Sequence, residues 1–165
     1  MTYYIDGYNL IFSLIDRQET MESIRKKTIQ FLQKKFELLN LQGTVVFDGA
    51  HRRDEESGLS YSSPLTIAYT PKGQSADEYI VEQIAASRRP KSAIVVTNDR
   101  GLIRHVRALG AQIQGNQEFI QTLFGRIKKR KKKKSEPVET QQNIDRLLKI
   151  FEERLAKGDS EDFEI

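Results

Sequence analysis

Four apolar runs in this chain are each followed, at or near their end, by an aspartate: Asp6 in YYIDGYN, Asp48 in VVFDGAH, Asp77 in GQSADEY and Asp99 in IVVTNDR. In an open parallel sheet every strand delivers its carboxyl end to one edge, and ligands bind in the crevice there. Runs that finish on Asp therefore bring carboxylates together. Two carboxylates ~4 Å apart repel by roughly 4 kcal/mol at an effective dielectric of 20. A cluster of three or four needs protons or a cation. Oxygen-only ligation favours Mg²⁺ or Mn²⁺. The pattern thus predicts a divalent-metal site on an α/β sheet.

The rest of the chain supports that architecture. Residues 2–5, 44–47, 65–69, 93–96 and 111–113 read as short buried strands. Between them lie helical patterns over 18–40, 76–87, 100–109 and 118–127. In the first of these, Met21, Ile24, Thr28, Phe31 and Leu38 follow the three-four spacing of one face. Ser75 and Glu78 have the spacing of a capping box, so a helix starts there. Asn98 or Asp99 caps the next one. Residues 49–63 are polar and without period, and read as a long loop. Strands alternating with helices predict a parallel sheet covered on both faces.

Charge is segregated along the chain. The net charge is +4, yet residues 126–134 alone carry eight positive charges, and residues 135–165 carry nine acids against four bases. The segment RIKKRKKKK, with Lys129, Lys131 and Lys132 in its middle, is expected to attract a polyanion, nucleic acid first. The expected organisation is a globular domain over 1–127, a basic linker over 128–137, and an amphipathic helix with an acidic tail over 138–165. Ile144, Leu147, Leu148, Phe151 and Leu155 form the apolar stripe of that last helix.

Other chemistries are excluded or disfavoured. There is no cysteine, so neither a disulfide nor a thiolate metal site is available. That fits a reducing cytosol, and a cytoplasmic location is expected. No apolar stretch approaches the ~20 residues of a membrane span. The first residues read as the start of a strand, and no signal peptide is expected. No G-x-x-x-x-G-K-[ST] is present, so this is not a P-loop enzyme. His51 and His105 lack the spacing of a metal pair. A small-molecule phosphohydrolase on a similar sheet would leave the lysine run idle.

Each aspartate taken singly has an ordinary structural role. Asp6 and Asp48 precede glycine, as turn residues do, and Asp77 and Asp99 sit where a helix dipole favours acids. The joint occurrence points to a site. Beside it, Arg52 and Arg53 in the loop after Asp48, Lys72 before Asp77 and Arg100 after Asp99 are candidates to hold substrate phosphates. Tyr8 and Tyr61 are candidates to stack on bases.

The order IDGYN, FDG, QSADEYI and VVTND resembles the YacP-like branch of the NYN-domain ribonucleases, within the PIN-like nuclease group, over roughly residues 1–125. The resemblance implies a PIN-like three-layer α/β fold with a central, mostly parallel sheet, and Mg²⁺- or Mn²⁺-dependent endonucleolytic cleavage of RNA. It implies that Asp6, Asp77 and Asp99 match the acidic metal-site positions. Asn9 and Asn98 match their polar neighbours, with Asp48 a fourth, less central member. Glu78 adjoins Asp77 but points elsewhere on the helix. The lysine run is expected to bring the domain to RNA or to an RNA-rich assembly such as the ribosome. The rival reading is an RNA- or ribosome-binding module of the same fold without catalysis.

Overall fold

The structure is a computed structural model that describes residues 1–14, 19–49, 59–62 and 64–132, together with Lys149 and Glu153. Its elements are β1 (Thr2–Asp6), α1 (Gly7–Leu14), α2 (Met21–Leu39), β2 (Gln42–Phe47), β3 (Leu59–Ser62), β4 (Leu65–Tyr69), α3 (Ala76–Ala86), β5 (Ala93–Val96), α4 (Arg100–Ala108), β6 (Gln112–Gln114) and α5 (Asn116–Lys132). The six strands lie in the order β3-β4-β2-β1-β5-β6. Five of them are parallel, and only the edge strand β3 runs antiparallel, Leu59 facing Ala68 and Ser62 facing Leu65. The chain lays down β1, β2 and β4 in one direction, then returns to the other side of β1 for β5 and β6. The order therefore reverses between β1 and β5, and a crevice opens at their carboxyl ends.

Alternation along the strands divides the core in two. Tyr3, Ile5, Val45, Phe47, Ile94 and Val96 face one side, against Leu10, Phe31, Phe36, Phe119 and Leu123 of α1, α2 and α5. Val46, Ala68, Ala93 and Val95 face the other, against Ile80 and Ile84 of α3 and Leu102 and Val106 of α4. Asp6 pairs in register with Val46, so the period of two sends it to the α3 and α4 side. A one-residue slip would send it to the opposite face.

The α/β architecture with covered faces is as expected, and four local features differ. The chain turns into a separate helix, α1, directly after Asp6, so Asp6-Gly7 is a strand-to-helix junction rather than a turn. Gly7 is buried, and a Cβ there would run into the Phe47 ring. Part of the polar stretch 49–63 forms β3, because an edge strand is defined by its pairing with β4 more than by its own hydropathy. In α2 the buried stripe passes through Phe31, Leu32, Lys35 and Phe36, while Leu38 is 42% exposed. Lys35 is only 2% exposed, and its ammonium lies over the rings of Phe31 and Phe124 at 5.6 and 5.9 Å. Finally, α5 continues past Ile127 to Lys132, so much of the basic run is helical. Arg52, Arg53, residues 133–148 and the apolar stripe from Ile144 to Leu155 lie outside the described residues. Among the described residues no helix is long and apolar enough to cross a membrane.

Gly7→Ala should be destabilising, by about 1–3 kcal/mol, because the added methyl forces Phe47 or the α1 backbone to move in a packed interior. Urea unfolding of both forms checks this. An unchanged midpoint would mean that the Phe47 ring moves aside at no cost.

Candidate active site

Three of the four aspartates meet at the β1/β5 crevice. Asp6 ends β1 and is 7% exposed. Its Oδ2 accepts a hydrogen bond from the Thr97 hydroxyl at 3.3 Å, and the backbone N–H of Asn9 also supports it. Burial, and then the charge of Asp77, push the Asp6 carboxyl up to about 7 from an ordinary 3.8, with Asp99 adding to the rise. The hydrogen bonds from Asn9 and Thr97 oppose the shift without cancelling it.

Asp77 lies in the first turn of α3, half-buried. The helix starts there because both halves of the capping box form. Ser75 Oγ accepts from the Glu78 N–H at 3.1 Å, and Glu78 Oε2 accepts from the Ser75 N–H at 3.0 Å. Glu78 is thus a capping residue, its carboxylate held by the Ser75 N–H. Burial raises the Asp77 carboxyl above its ordinary value, as do Asp99 and Glu78, against a smaller lowering by His105. His105 is exposed on α4, yet its field reaches the site. Asp99 caps α4, its Oδ1 accepting from the Leu102 N–H at 2.8 Å. One of its oxygens is therefore held by the helix.

Across the crevice the charges of Asp77 and Asp99 act on Asp6, and that of Asp99 acts on Asp77. Even so, among the described residues no group of three or more His, Asp or Glu side chains is arranged to hold a metal ion directly. Asp99 is turned to its cap and Asp6 to Thr97, so the shared cage expected from the sequence is not formed as such. Asp48 follows β2 at the same edge and is half-buried, but it is not among the charges acting on Asp6 or Asp77.

Behind the carboxylates is a polar hub in which Thr97 and Asn116, not expected from the sequence, join Asn9 and Asn98. Asn9 Oδ1 accepts from the Asn98 N–H at 2.9 Å, from Thr97 Oγ1 at 3.3 Å and from Asn116 Nδ2 at 2.8 Å. Asn116 is fully buried, and the same Nδ2 also reaches the Asn9 carbonyl at 3.1 Å and Ser13 Oγ at 2.8 Å. Its N–H donates to Asn98 Oδ1 at 3.0 Å. The flipped amide would set its oxygen against the Asn9 carbonyl, so the orientation is fixed. Asn116 Oδ1 itself is buried with no hydrogen-bond partner among the described residues. Thr97, fully buried, also accepts from the Asp99 N–H at 3.0 Å. The hub ties the end of β1, the β5–α4 junction and the start of α5 into one unit. The signal available for Asn116 was the one used for the aspartates: a polar residue just past a strand, here β6.

Of the other expected residues, Arg100 and Lys72 are exposed at this edge, after Asp99 and before Asp77. Asn98 is exposed, but its side-chain oxygen is committed to the start of α5. Tyr8 is 6% exposed, packed edge-on to Phe47 and accepting from Arg25 at 2.9 Å, so it is a packing residue rather than an open stacking platform. Lys129, Lys131 and Lys132 lie in the last turns of α5, away from the crevice.

Asp6 makes stability depend on pH. Its carboxyl titrates near 7 in the folded chain and near 3.8 in an ordinary environment. Between these values the folded state holds a proton that the unfolded state has lost. The contribution of Asp6 to stability is therefore greatest below ~4, falls as pH rises toward 7, and levels above it. A shift of this size corresponds to on the order of 4 kcal/mol. Asp6→Asn should flatten the fall and raise the melting temperature at pH 7.5 in chelator. Excess Mg²⁺ should shrink the fall in the parent protein. Melting curves from pH 4 to 8 test this, and parallel curves for the two proteins in chelator would refute it.

A family model for the YacP-like NYN domain matches residues 3–164. Among solved structures, Rae1 (YacP) from Bacillus subtilis is similar at 22% identity and a TM-score of 0.61, covering 100% of this chain and 99% of that one. A Trp-to-Leu mutant of the same Bacillus subtilis protein matches at 20% identity and a TM-score of 0.61, over 95% and 98% of the two chains. No match was found among curated proteins. The likeness to the solved structures extends over the whole NYN, PIN-like α/β fold, and the family match runs through the segments that carry Asp6, Asp77 and Asp99. This chain belongs to the YacP-like NYN domain family.

Proposed function

We propose that this protein is a metal-dependent endoribonuclease. The observation that carries the reading is the trio Asp6, Asp77 and Asp99, held in mutual repulsion at the β1/β5 crevice with Asp6 pushed up to about 7. Carboxylates kept together against their charge are relieved by a cation. The donors are all oxygen, which suits Mg²⁺ or Mn²⁺, and Mg²⁺ needs only one or two carboxylates because it keeps several waters. Asp6, Asp77 and Asp99 would hold the ion, with Asp48 at the margin. Bound there, it supplies Lewis acidity toward phosphate oxygens and water.

The chain's own groups would do the rest. Asp77 and Asp99 accept hydrogen bonds from the attacking water and orient it. The water's proton passes to solvent as its oxygen attacks phosphorus, and the P–O bond to the departing ribose oxygen breaks with that oxygen taking a proton from solvent. Asp6, whose own proton a cation would displace, serves as a ligand. Thr97 and Asn9 keep Asp6 in register, and Asn116 keeps Asn9. Arg100 and Lys72 face the phosphates on either side, and Arg52 and Arg53 are further candidates for the same task. The basic run recruits the domain to RNA, free or in the ribosome. NYN domains are generally nucleases, which supports the same reading.

One observation favours the rival, a catalytically silent RNA- or ribosome-binding module: no ready-made three-carboxylate cage exists among the described residues. Cleavage decides between them. A labelled RNA should be cut with Mg²⁺ or Mn²⁺, spared in excess chelator, and cut poorly with Ca²⁺, whose coordination is larger and looser. Asp77→Asn should lower the rate at least about a hundredfold, the scale for removing one electrostatic group from a site. It should not lower the melting temperature, since it removes repulsion. Full activity in chelator would rule out the metal. An inert parent protein that still binds RNA would favour the module.

The basic run has its own test. Eight charges all meeting phosphates would give a salt slope of roughly −6 on single strands, or on the order of a thousandfold between 50 and 200 mM. Replacing the lysines of 128–134 with Gln should flatten the slope and weaken binding to all RNA sequences alike. An unaltered slope would make the run a solvated spacer.

A further inference from the structure

The near-neutral charge of the first 125 residues conceals a second basic surface, built into the sheet domain. Between Ala85 and Ile113 the sequence holds six bases and one acid, while the remainder of 1–125 holds nine bases and thirteen acids. The six are Arg88, Arg89, Lys91, Arg100, Arg104 and Arg107, and all are exposed. The one acid, Asp99, caps α4. Among the described residues none of the six is in a salt bridge.

Their placement is ordered. Arg100, Arg104 and Arg107 stand at i, i+4 and i+7 along α4, so they share one face. Leu102 and Val106 occupy the buried face of the same helix. Arg104 Nε donates to the Arg100 carbonyl at 3.3 Å, which lays one guanidinium back along the row. The row begins beside Asp99 at the carboxylate cluster and ends at the α4–β6 turn. Lys91 stands beside that turn: its carbonyl accepts from Gln112 Nε2 at 2.8 Å, and its side chain lies by Gly110. Arg88 and Arg89 precede it.

From Arg100 to Arg107 the helix rises about 10 Å, enough for the row to meet more than one phosphate of a strand. Exposed arginines without carboxylate partners, at that spacing and starting from a phosphodiester-cleaving edge, match a polyphosphate better than a protein or small anion. The terminal basic run is separate, since it lies at the far end of α5 and that helix packs on the opposite face of the sheet.

We propose that the outer face of α4, continued through Lys91, is the track along which single-stranded RNA leads away from the Asp6, Asp77 and Asp99 cluster, its phosphates meeting Arg100, Arg104, Arg107 and Lys91. The proposal rests on the ribonuclease reading and adds to it a strand path and a length requirement. RNA long enough to reach the track should bind more tightly than RNA that covers only the crevice.

The test uses the full chain and its Lys91→Gln, Arg104→Gln, Arg107→Gln triple variant, with labelled oligouridylates of 4 and 12 nucleotides in chelator. A metal-supplemented cleavage assay of the parent protein runs beside them. The parent should bind the 12-mer at least tenfold more tightly than the 4-mer. The variant should lose most of that gain, and its salt slope on the 12-mer should be shallower by about 2, three phosphates at ~0.7 each. All three side chains are exposed, so the melting temperature should hold. Lys91→Glu, Arg104→Glu, Arg107→Glu should weaken the 12-mer further. If the parent cleaves RNA and the variants keep its length gain and slope, the track is wrong and the nuclease reading stands. If the parent neither binds nor cleaves RNA, both fall.

Discussion

The site depends on one costly arrangement: a carboxyl at the end of the central strand, buried, with two further carboxyls in range. Asp6 would be an ordinary turn residue on a surface loop. Its place in β1 removes it from water, and the register that pairs it with Val46 directs it to the face covered by α3 and α4. Both helices begin with an acid at that face. Their positive ends favour Asp77 and Asp99, so each acid is locally stabilised where it is jointly strained. Asp6, the most buried, is raised by that burial first and then by the charges of Asp77 and Asp99. A cluster of this kind is stable only while one member is protonated or a cation is present.

The polar hub holds this arrangement against its own repulsion. Asn9, Thr97, Asn98 and Asn116 come from three segments separated by up to 107 positions, yet they share hydrogen bonds at 2.8 to 3.3 Å. Thr97 illustrates the economy of donors. Its single hydroxyl proton is offered to either Asp6 or Asn9, while its oxygen accepts from the Asp99 N–H. A change at Asn116 would thus be felt at Asp6 through Asn9 and Thr97, with no direct contact between the two.

What could be read from the sequence was what depends on neighbours in the chain. Asp6 ends a strand, Asp77 and Asp99 stand at the starts of helices that follow strands, and Ser75 with Glu78 announces the start of α3. The boundaries of β5 were recoverable because four apolar residues in a row have few alternatives. What depends on distant partners was not readable. Asp48 looks equivalent to Asp6 in the sequence, but it lies past the end of β2 and only half-buried, while Asp6 is inside β1 and buried. β3 exists because β4 offers it an edge. Leu38 fits the stripe of α2 on paper, while the packed face turns through Lys35 and Phe36 instead. Asn116 is one of many polar residues that follow a strand, and its importance comes from Asn9, far away in the chain. α1 is a different kind of miss, since Leu10, Ile11 and Leu14 carry a helical spacing. The junction at Gly7 is tight because the Phe47 ring occupies the space of its missing side chain.

The distribution of charge bears on how a ribonuclease of this size would manage its substrate. A uniformly basic domain would bind RNA anywhere, and most of that binding would be unproductive. Here the acids are concentrated outside one stretch of the sheet domain, so long-range attraction is directed toward α4 and toward the end of α5. These two surfaces lie on opposite faces of the sheet. A flexible single strand would have to wrap the domain to use both at once, whereas a large structured RNA could engage the end of α5 while a single-stranded portion lies along α4. On the reading proposed here, the two basic surfaces therefore have separable tasks. One fixes the enzyme to its assembly, and the other feeds the strand past Arg100 to the carboxylates.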